Sequence, residues 1–454
     1  MVTSMTRVDK NRVRSTKLTR RGFLRASFVS TMPLSLSPSV HVWGHGDLYS
    51  GGKLLVTLQL DGGVDVTMFC DPKTNVNGEP KINHWADRAQ PEQVGNIVYA
   101  PVAKNRELFE RYGADSLVVN GVDSQTNSHE TGKLFNWTGI NNEGQPSLSA
   151  LFAAAMAPSE PLAYSVFGGL SRTAGIIGYN RFDELSVLRG LTQPNIEPWS
   201  GESKRWQSEI ARAQRSVDQE ISRKMSSEGR SIREQESLGR LREARENRER
   251  LTSLADLIPA EQDIAEREEF SAGGMQFSSN LKQQMQSALL VFESGLGVSA
   301  DLSLGGFDSH EENEPIQEAL LSHFYDALNF FWDTADELGL ADRILLVIGS
   351  DFGRTNFINE GNGKDHWPIG SYIIMEQGAE WSNRVIGETD ELHFASKIDP
   401  GTLDPSDDGL IMTPTHIHKA LREYLGVEAF AAELGFGLTK TTSLPLFTPV
   451  ASYL

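Results

Sequence analysis

The sequence predicts an α/β fold, a doubly wound and mostly parallel sheet with helices on both faces and a helical-hairpin insertion. Two observations carry this. Short aliphatic runs alternate with stretches of helical periodicity along most of the chain, the pattern of strand–helix–strand units. Three of the runs, residues 53–60, 297–304 and 344–348, lead within a few residues to an aspartate beside small residues: Asp61, Asp308 and Asp351. A near-continuous apolar run is what a strand buried on both faces requires, and the carboxyl edge of such a sheet is where ligands bind.

Composition narrows the function classes. A chain of 454 residues can bury a large core, as one α/β domain with insertions or as two domains. A net charge of −19 and a pI near 5.0 exclude a nucleic-acid backbone as the main partner. The single cysteine, Cys70, excludes an intramolecular disulfide framework and any multi-cysteine metal site, and it reads as a small buried hydrophobe.

Residues 1–46 read as an address and a linker. Arg20 and Arg21 precede Gly22, Phe23 and Leu24, and a Ser-rich, modestly apolar stretch follows to about Val40. This is similar to a twin-arginine export signal, which implies the twin-arginine machinery as a partner and a periplasmic or extracellular location. The apolar stretch is short for a transmembrane helix, so membrane contact is expected only through this segment if it stays uncleaved.

The folded domain is expected over 47–454. The first strand, 53–60, ends in Asp61-Gly62-Gly63, where glycine permits a tight turn and a close backbone approach. A helix at 104–112 leads to a strand at 116–120. After it, Asn127 or Ser128 is a good N-cap for a helix running towards Trp137, and Ser128 or His129 stands at that helix's positive end, suited to an anion or a metal. A helix at 148–156 and a strand at 162–166 continue the alternation. Over about 202–269 the chain turns Arg- and Glu-rich, with Ile210, Ala213, Val217 and Ile221 at helical spacing and then Leu238, Leu241, Leu251 and Leu254. A solvated antiparallel helical hairpin without chemistry of its own fits that pattern. The alternation resumes with helices at 279–293 and 316–338, a strand at 371–375, and a last helix opened by Thr413-Pro414. His84, His323, His416 and His418 carry no assignment.

Leu304 to His310, residues 339–343, residues 350–355 and Asp365-His366, in that order, resemble the exported bacterial family catalogued as domain of unknown function 1501, of the alkaline phosphatase and sulfatase superfamily. The resemblance runs from Lys53 onwards and is weakest in the hairpin. It implies an alkaline-phosphatase-like core with a divalent-metal site at the carboxyl edge of the sheet. Carried over residue by residue, Asp61, Asp308, His310, Asp351 and His366 fall at superfamily ligand positions, with Asp365 a further candidate. That family usually has Glu where this chain has Asp351. The superfamily's nucleophile position falls nearest His129, and the sulfatase motif Cys-x-Pro-x-Arg is absent, which disfavours a formylglycine enzyme.

The expectation is therefore an exported metal-dependent hydrolase of phosphate or sulfate esters, acting on an anionic small-molecule or polymer ester. His129, Ser128 and Arg354 are the catalytic candidates, Arg354 as an anion clamp or as a structural ion pair. Mixed Asp/His ligation favours Zn or Mn, and carboxylate-rich positions also admit Mg or Ca. The alternative is a non-catalytic exported binding or assembly protein that keeps the fold.

Overall fold

The computed structural model describes residues 51–449 apart from 183–184, 194–195, 197–201, 203–206 and 227–230. The twin-arginine segment and its linker lie outside the described residues, as does part of the 202–269 insertion. Eight strands build the main sheet: β1 (Leu54–Asp61), β2 (Ser116–Asp123), β3 (Tyr164–Val166), β4 (Asn180–Arg181), β5 (Ser299–Gly305), β6 (Ile344–Ser350), β7 (Ile369–Met375) and β8 (Arg384–Ile386). Their spatial order is β8-β2-β7-β6-β1-β5-β3-β4. All but β7 run in one direction; β7 is antiparallel to both β6 and β2.

β1 lies at the centre, paired with β6 on one side and β5 on the other, from Leu54 opposite Ile344 to Leu60 opposite Ser350. Successive side chains of a strand point to opposite faces, and every residue from Leu54 to Leu60 is buried, so both faces of the sheet are covered. The helices of the domain include α1 (Asn105–Tyr112), α2 (His129–Thr138), α3 (Leu148–Met156), α4 (Gln207–Met225), α5 (Ile232–Leu254), α6 (Leu281–Glu293), α7 (Asn313–Leu338) and α8 (Pro414–Tyr424); Leu185–Thr192 and Glu428–Glu433 are also helical. α2 packs on β6, α3 on β1 and β5, and α6 on β5. In the insertion, α4 and α5 are tied side by side by Arg245, which pairs with Asp218 and donates to the Gln214 carbonyl at 3.0 Å.

The one reversed strand has a local cause. Beyond β6 the chain forms a two-stranded ribbon, Gly353–Arg354 against His366–Trp367, that turns it back on itself. β7 therefore starts at the edge where β6 ends. The carboxyl ends of β1, β5, β6 and β2 and the entry to β7 all meet at this edge, which places Asp61, Asp308, Asp351, His129 and His366 within one region.

Deep in the sheet, Thr57 on β1 sits opposite Asp301 on β5, and its hydroxyl donates to Asp301 Oδ1 at 2.7 Å while the Tyr164 hydroxyl takes Oδ2. Burial pushes Asp301 up from 3.8 to about 6. Between those values the folded chain holds a proton that the unfolded chain has released, so stability falls as pH rises through the window and is level above it. Lowering the pH from about 7.5 to about 5 should stabilise the wild type by about 1 kcal/mol more than an Asp301→Asn variant. Urea unfolding of both proteins at the two pH values checks this; equal responses would remove Asp301 from the account.

Candidate metal centre

The centre is built on a carboxylate with no solvent exposure. Asp351, just past β6, accepts at Oδ1 from the backbone N–H of Gly62 (3.0 Å) and Gly63 (3.0 Å) and from Gln59 Nε2 (3.1 Å), and Ser350 Oγ lies 3.1 Å from the same oxygen. Both glycine donors come from a turn only glycine makes easily, with φ of +117° at Gly62 and +92° at Gly63. Its Oδ2 meets His129 Nδ1. Gln59 is itself oriented by Trp137 Nε1. His129 opens α2, and Gly132 one turn on lets the helix lie against β6: a Cβ there would stand 2.4 Å from the Asp351 carbonyl.

Two further imidazoles reach the same place. His310 follows Asp308 beyond β5, and its Nδ1 is held by Asp365 Oδ1 at 2.8 Å. His366, on the ribbon, has its Nδ1 at 2.7 Å from the Asn127 carbonyl. A carboxylate and a carbonyl only accept, so each of the three Nδ1 atoms carries the proton, and in the neutral rings each Nε2 carries a lone pair. Those Nε2 atoms converge on Asp308. His310 Nε2 is 3.1 Å and His366 Nε2 3.2 Å from Oδ1, and His129 Nε2 is 3.5 Å from Oδ2. The His310 and His366 Nε2 atoms face each other at 3.0 Å. The Phe352 ring backs His129 and His366, with centroids at 4.8 and 4.6 Å.

The charges agree with that geometry. The hydrogen bond from Asp351 raises the His129 pKa above its ordinary value against the opposing effect of burial. Burial would raise Asp308, but the Arg354 guanidinium at 2.6 Å outweighs it and, with His129 and His310, holds the carboxyl below its usual range.

The donor chemistry fits a divalent cation. Two imidazole lone pairs at 3.0 Å repel unless a proton or a metal lies between them, and a carboxylate oxygen completes the triangle. One donor atom each from His129, Asp308 and His366 lie within 4.8 Å of one another. Each imidazole is also held from behind by an acceptor, as metal-binding histidines almost always are.

The remaining sequence candidates take other places. Asp351 is enclosed and spends both oxygens on protein donors, and Asp365 holds His310, so both stand behind imidazoles. Asp61 pairs with Lys133 of α2 at 2.8 Å. Ser128 is the exposed N-cap of α2 and makes no side-chain capping bond. Arg354 is fully buried, and its nitrogens donate to the carbonyls of Gly62, Gly63 and Lys364 and to Asp308, so it clamps the loops and offers no face to an anion. Cys70 is buried, which pushes its thiol up to about 12. His416 joins the capping box of α8, and His418 is buried against the Asn136 carbonyl at 2.8 Å. Gln59, Lys133, Lys364 and the Asn127 carbonyl were not foreseen. Gln59 had a signal, an amide within an otherwise aliphatic run; Lys364 in its Gly/Asn-rich loop had none.

Lys364 secures the whole edge. Its Nζ is 2.8 Å from Asp65 Oδ2 with neither side chain exposed, and it also donates to Thr67 Oγ1 and Asn83 Oδ1, each at 3.0 Å. Asn313 at the start of α7 donates to the same Asp65 oxygen at 2.7 Å. Burial would raise Asp65, but the Lys364 ammonium overcomes it and keeps the carboxyl below its ordinary value. The pair joins the turn after β1 to the loop that carries Asp365 and His366.

The fold and the edge define a mixed α/β protein with a histidine-rich, metal-type centre at the carboxyl ends of its strands. The chain belongs to the family described as protein of unknown function (DUF1501), whose model matches residues 52–404. No curated protein matches it. Solved structures similar to it include a sulfatase from the Bacteroides thetaiotaomicron glycosaminoglycan locus, at 10% identity and TM-score 0.41 over 89% of this chain and 78% of that one. An alkaline phosphatase superfamily protein from Vibrio parahaemolyticus is similar at 10% identity and TM-score 0.37, over 89% and 72%. The phosphonate monoester hydrolase of Agrobacterium radiobacter follows at 12% identity and TM-score 0.32, over 82% and 74%.

Removing one partner of a buried ion pair strands the other charge. Lys364→Met should cost about 3–5 kcal/mol in urea unfolding, and Asp65→Leu with Lys364→Met should cost less than the single change. A single variant as stable as the wild type would show that the pair does not hold the edge.

Proposed function

We propose that this protein is an exported metal-dependent hydrolase of phosphate or sulfate esters. The observation that supports it is the convergence of the His310 and His366 lone pairs at 3.0 Å, with Asp308 at the third corner and each imidazole fixed from behind. In this reading Asp308, His310 and His366 hold a divalent ion, Zn or Mn by donor type, with Mg or Ca as alternatives. When bound, the ion supplies Lewis-acid polarisation of an anionic ester oxygen and offsets charge in the transition state. The chain's own residues do the rest. Asp351 keeps the His129 proton on Nδ1, so Nε2 faces the cluster as a base or as a fourth ligand. Arg354 fixes the direction of Asp308 from below. Lys133, mostly buried beside Asp61, supplies positive charge near the rim for an anionic substrate.

The twin-arginine segment supports export to the periplasm or beyond. Among the described residues no helix is long and apolar enough to cross a membrane. One observation favours a second reading, an exported binding or assembly protein: the hydroxyl that reaches Asp351, Ser350 Oγ, is committed to the Leu60 carbonyl at 2.6 Å.

The test is metal analysis of the exported protein with a screen of phosphate monoesters, diesters and sulfate esters. Near-stoichiometric Zn or Mn with turnover that a chelator abolishes is expected. Bound metal without turnover would favour the binding protein, and no metal after careful handling would overturn the ligand assignment. Asp351→Asn should lower metal affinity or turnover by about 10–100-fold, the usual effect of losing the partner behind a ligand. An unchanged variant would separate Asp351 from the chemistry.

A further inference from the structure

A second arrangement of nucleophile, base and carboxylate lies outside the metal centre. Strands Glu268–Ala272 and Met275–Ser279 form an antiparallel hairpin that places Glu268 directly opposite Ser279. The hairpin packs on α7, whose His323 comes up to this cross-strand pair. His323 Nε2 is 2.9 Å from Ser279 Oγ, and His323 Nδ1 is 3.2 Å from Glu268 Oε2. The other Glu268 oxygen takes Lys282 Nζ at 2.6 Å, so the carboxylate is held from both sides. Phe270 stacks on the imidazole at 5.0 Å between centroids and 29° between planes, which sets the ring's orientation.

The protonation pattern follows from the partners. A carboxylate only accepts, so Glu268 beside Nδ1 favours the His323 proton there, which leaves Nε2 to receive the Ser279 hydroxyl proton. That is the tautomer a serine–histidine–acid relay requires. Burial lowers the His323 pKa despite the nearby Glu268, which keeps the base neutral at neutral pH. Ser279 also ends a strand just before a helix. α6 begins at Leu281, its N-cap Asn280 makes no side-chain capping bond, and the Leu281 N–H lies 3.2 Å from Ser279 Oγ. The Leu281 N–H, which has no intrahelical acceptor, donates to Ser279 Oγ itself and so steadies the oxygen at the start of the helix.

We propose that Ser279, His323 and Glu268 form an acyl-transfer site for small carboxylic esters, separate from the metal centre. Ser279 Oγ attacks the ester carbonyl carbon as its proton passes to His323 Nε2. The tetrahedral adduct collapses with cleavage of the C–O bond to the alcohol, which leaves with the proton from Nε2. Water then attacks the acyl-serine, gives a proton to Nε2, and releases the carboxylic acid as Ser279 Oγ takes that proton back. Ser279 and His323 each retain 8% exposure, so small acyl groups are the class this site admits.

The experiment treats the full chain with a small alkyl fluorophosphonate and maps the adduct by peptide mass spectrometry. One adduct on Ser279 is expected, absent in Ser279→Ala and formed equally fast after chelation. Glu268→Gln, a change at a side chain 37% exposed, should slow labelling at least about tenfold while the unfolding curve stays that of the wild type. No adduct at Ser279, or labelling of Glu268→Gln at the wild-type rate, would overturn the proposal, as would loss of labelling on chelation. None of these outcomes depends on whether the metal centre hydrolyses phosphate or sulfate esters.

Discussion

Everything at the carboxyl edge leans on the Asp351 side chain. A carboxylate without solvent contact must be satisfied by the protein, and this one takes three N–H donors on one oxygen and an imidazole on the other. Those donors come from the turn after β1, from β1 itself and from α2. The same oxygens that solvate the charge therefore decide how three chain segments meet. Leaving such buried donors unmatched costs about 1–3 kcal/mol each, so the arrangement is close to all-or-none. His129 is held at its angle because a strand end, a glycine turn and a helix start have no other way to share one anion.

The three imidazoles are backed differently, and this grades their donor strength. His129 and His310 are each paired with a carboxylate, whereas His366 leans on a neutral carbonyl. A charged partner makes an imidazole a stronger base and a better ligand than a neutral one does. His129, whose pKa the hydrogen bond to Asp351 raises, is the ring whose Nε2 lies on the far oxygen of Asp308, away from the His310 and His366 pair. Rings that look alike in the sequence are thus set apart by what stands behind them and by which oxygen of Asp308 they face.

Much of this was legible in the residues. The aliphatic runs located β1, β2, β5 and β6, because a strand covered on both faces is built largely of apolar side chains. Asp308, His310 and His366 could be picked out at strand ends. The direction of β7 could not, since a buried strand such as residues 371–375 carries no mark of its polarity; the ribbon at Gly353 and His366 decides it. Nor could the sequence separate the carboxylate the imidazoles converge on from the carboxylates behind them. Asp351 and Asp365 have the same chemistry as Asp308, and only burial and partner distances tell them apart. Lys364 hid for a related reason: a lysine in a glycine-rich loop reads as solvated, and its enclosure against Asp65 is a product of the assembled edge.

The central position of β1 also governs the order in which the molecule can be made. Its two neighbours, β5 and β6, start at Ser299 and Ile344, some 245 to 290 residues further along the chain. At synthesis rates of about 5–20 residues per second, that strand waits for tens of seconds with both hydrogen-bonding edges unmet. An aliphatic segment left open so long invites chaperones or aggregation, and the sheet cannot close from the N-terminus outwards. The middle of the structure is its oldest stretch of polypeptide and among its last to be completed.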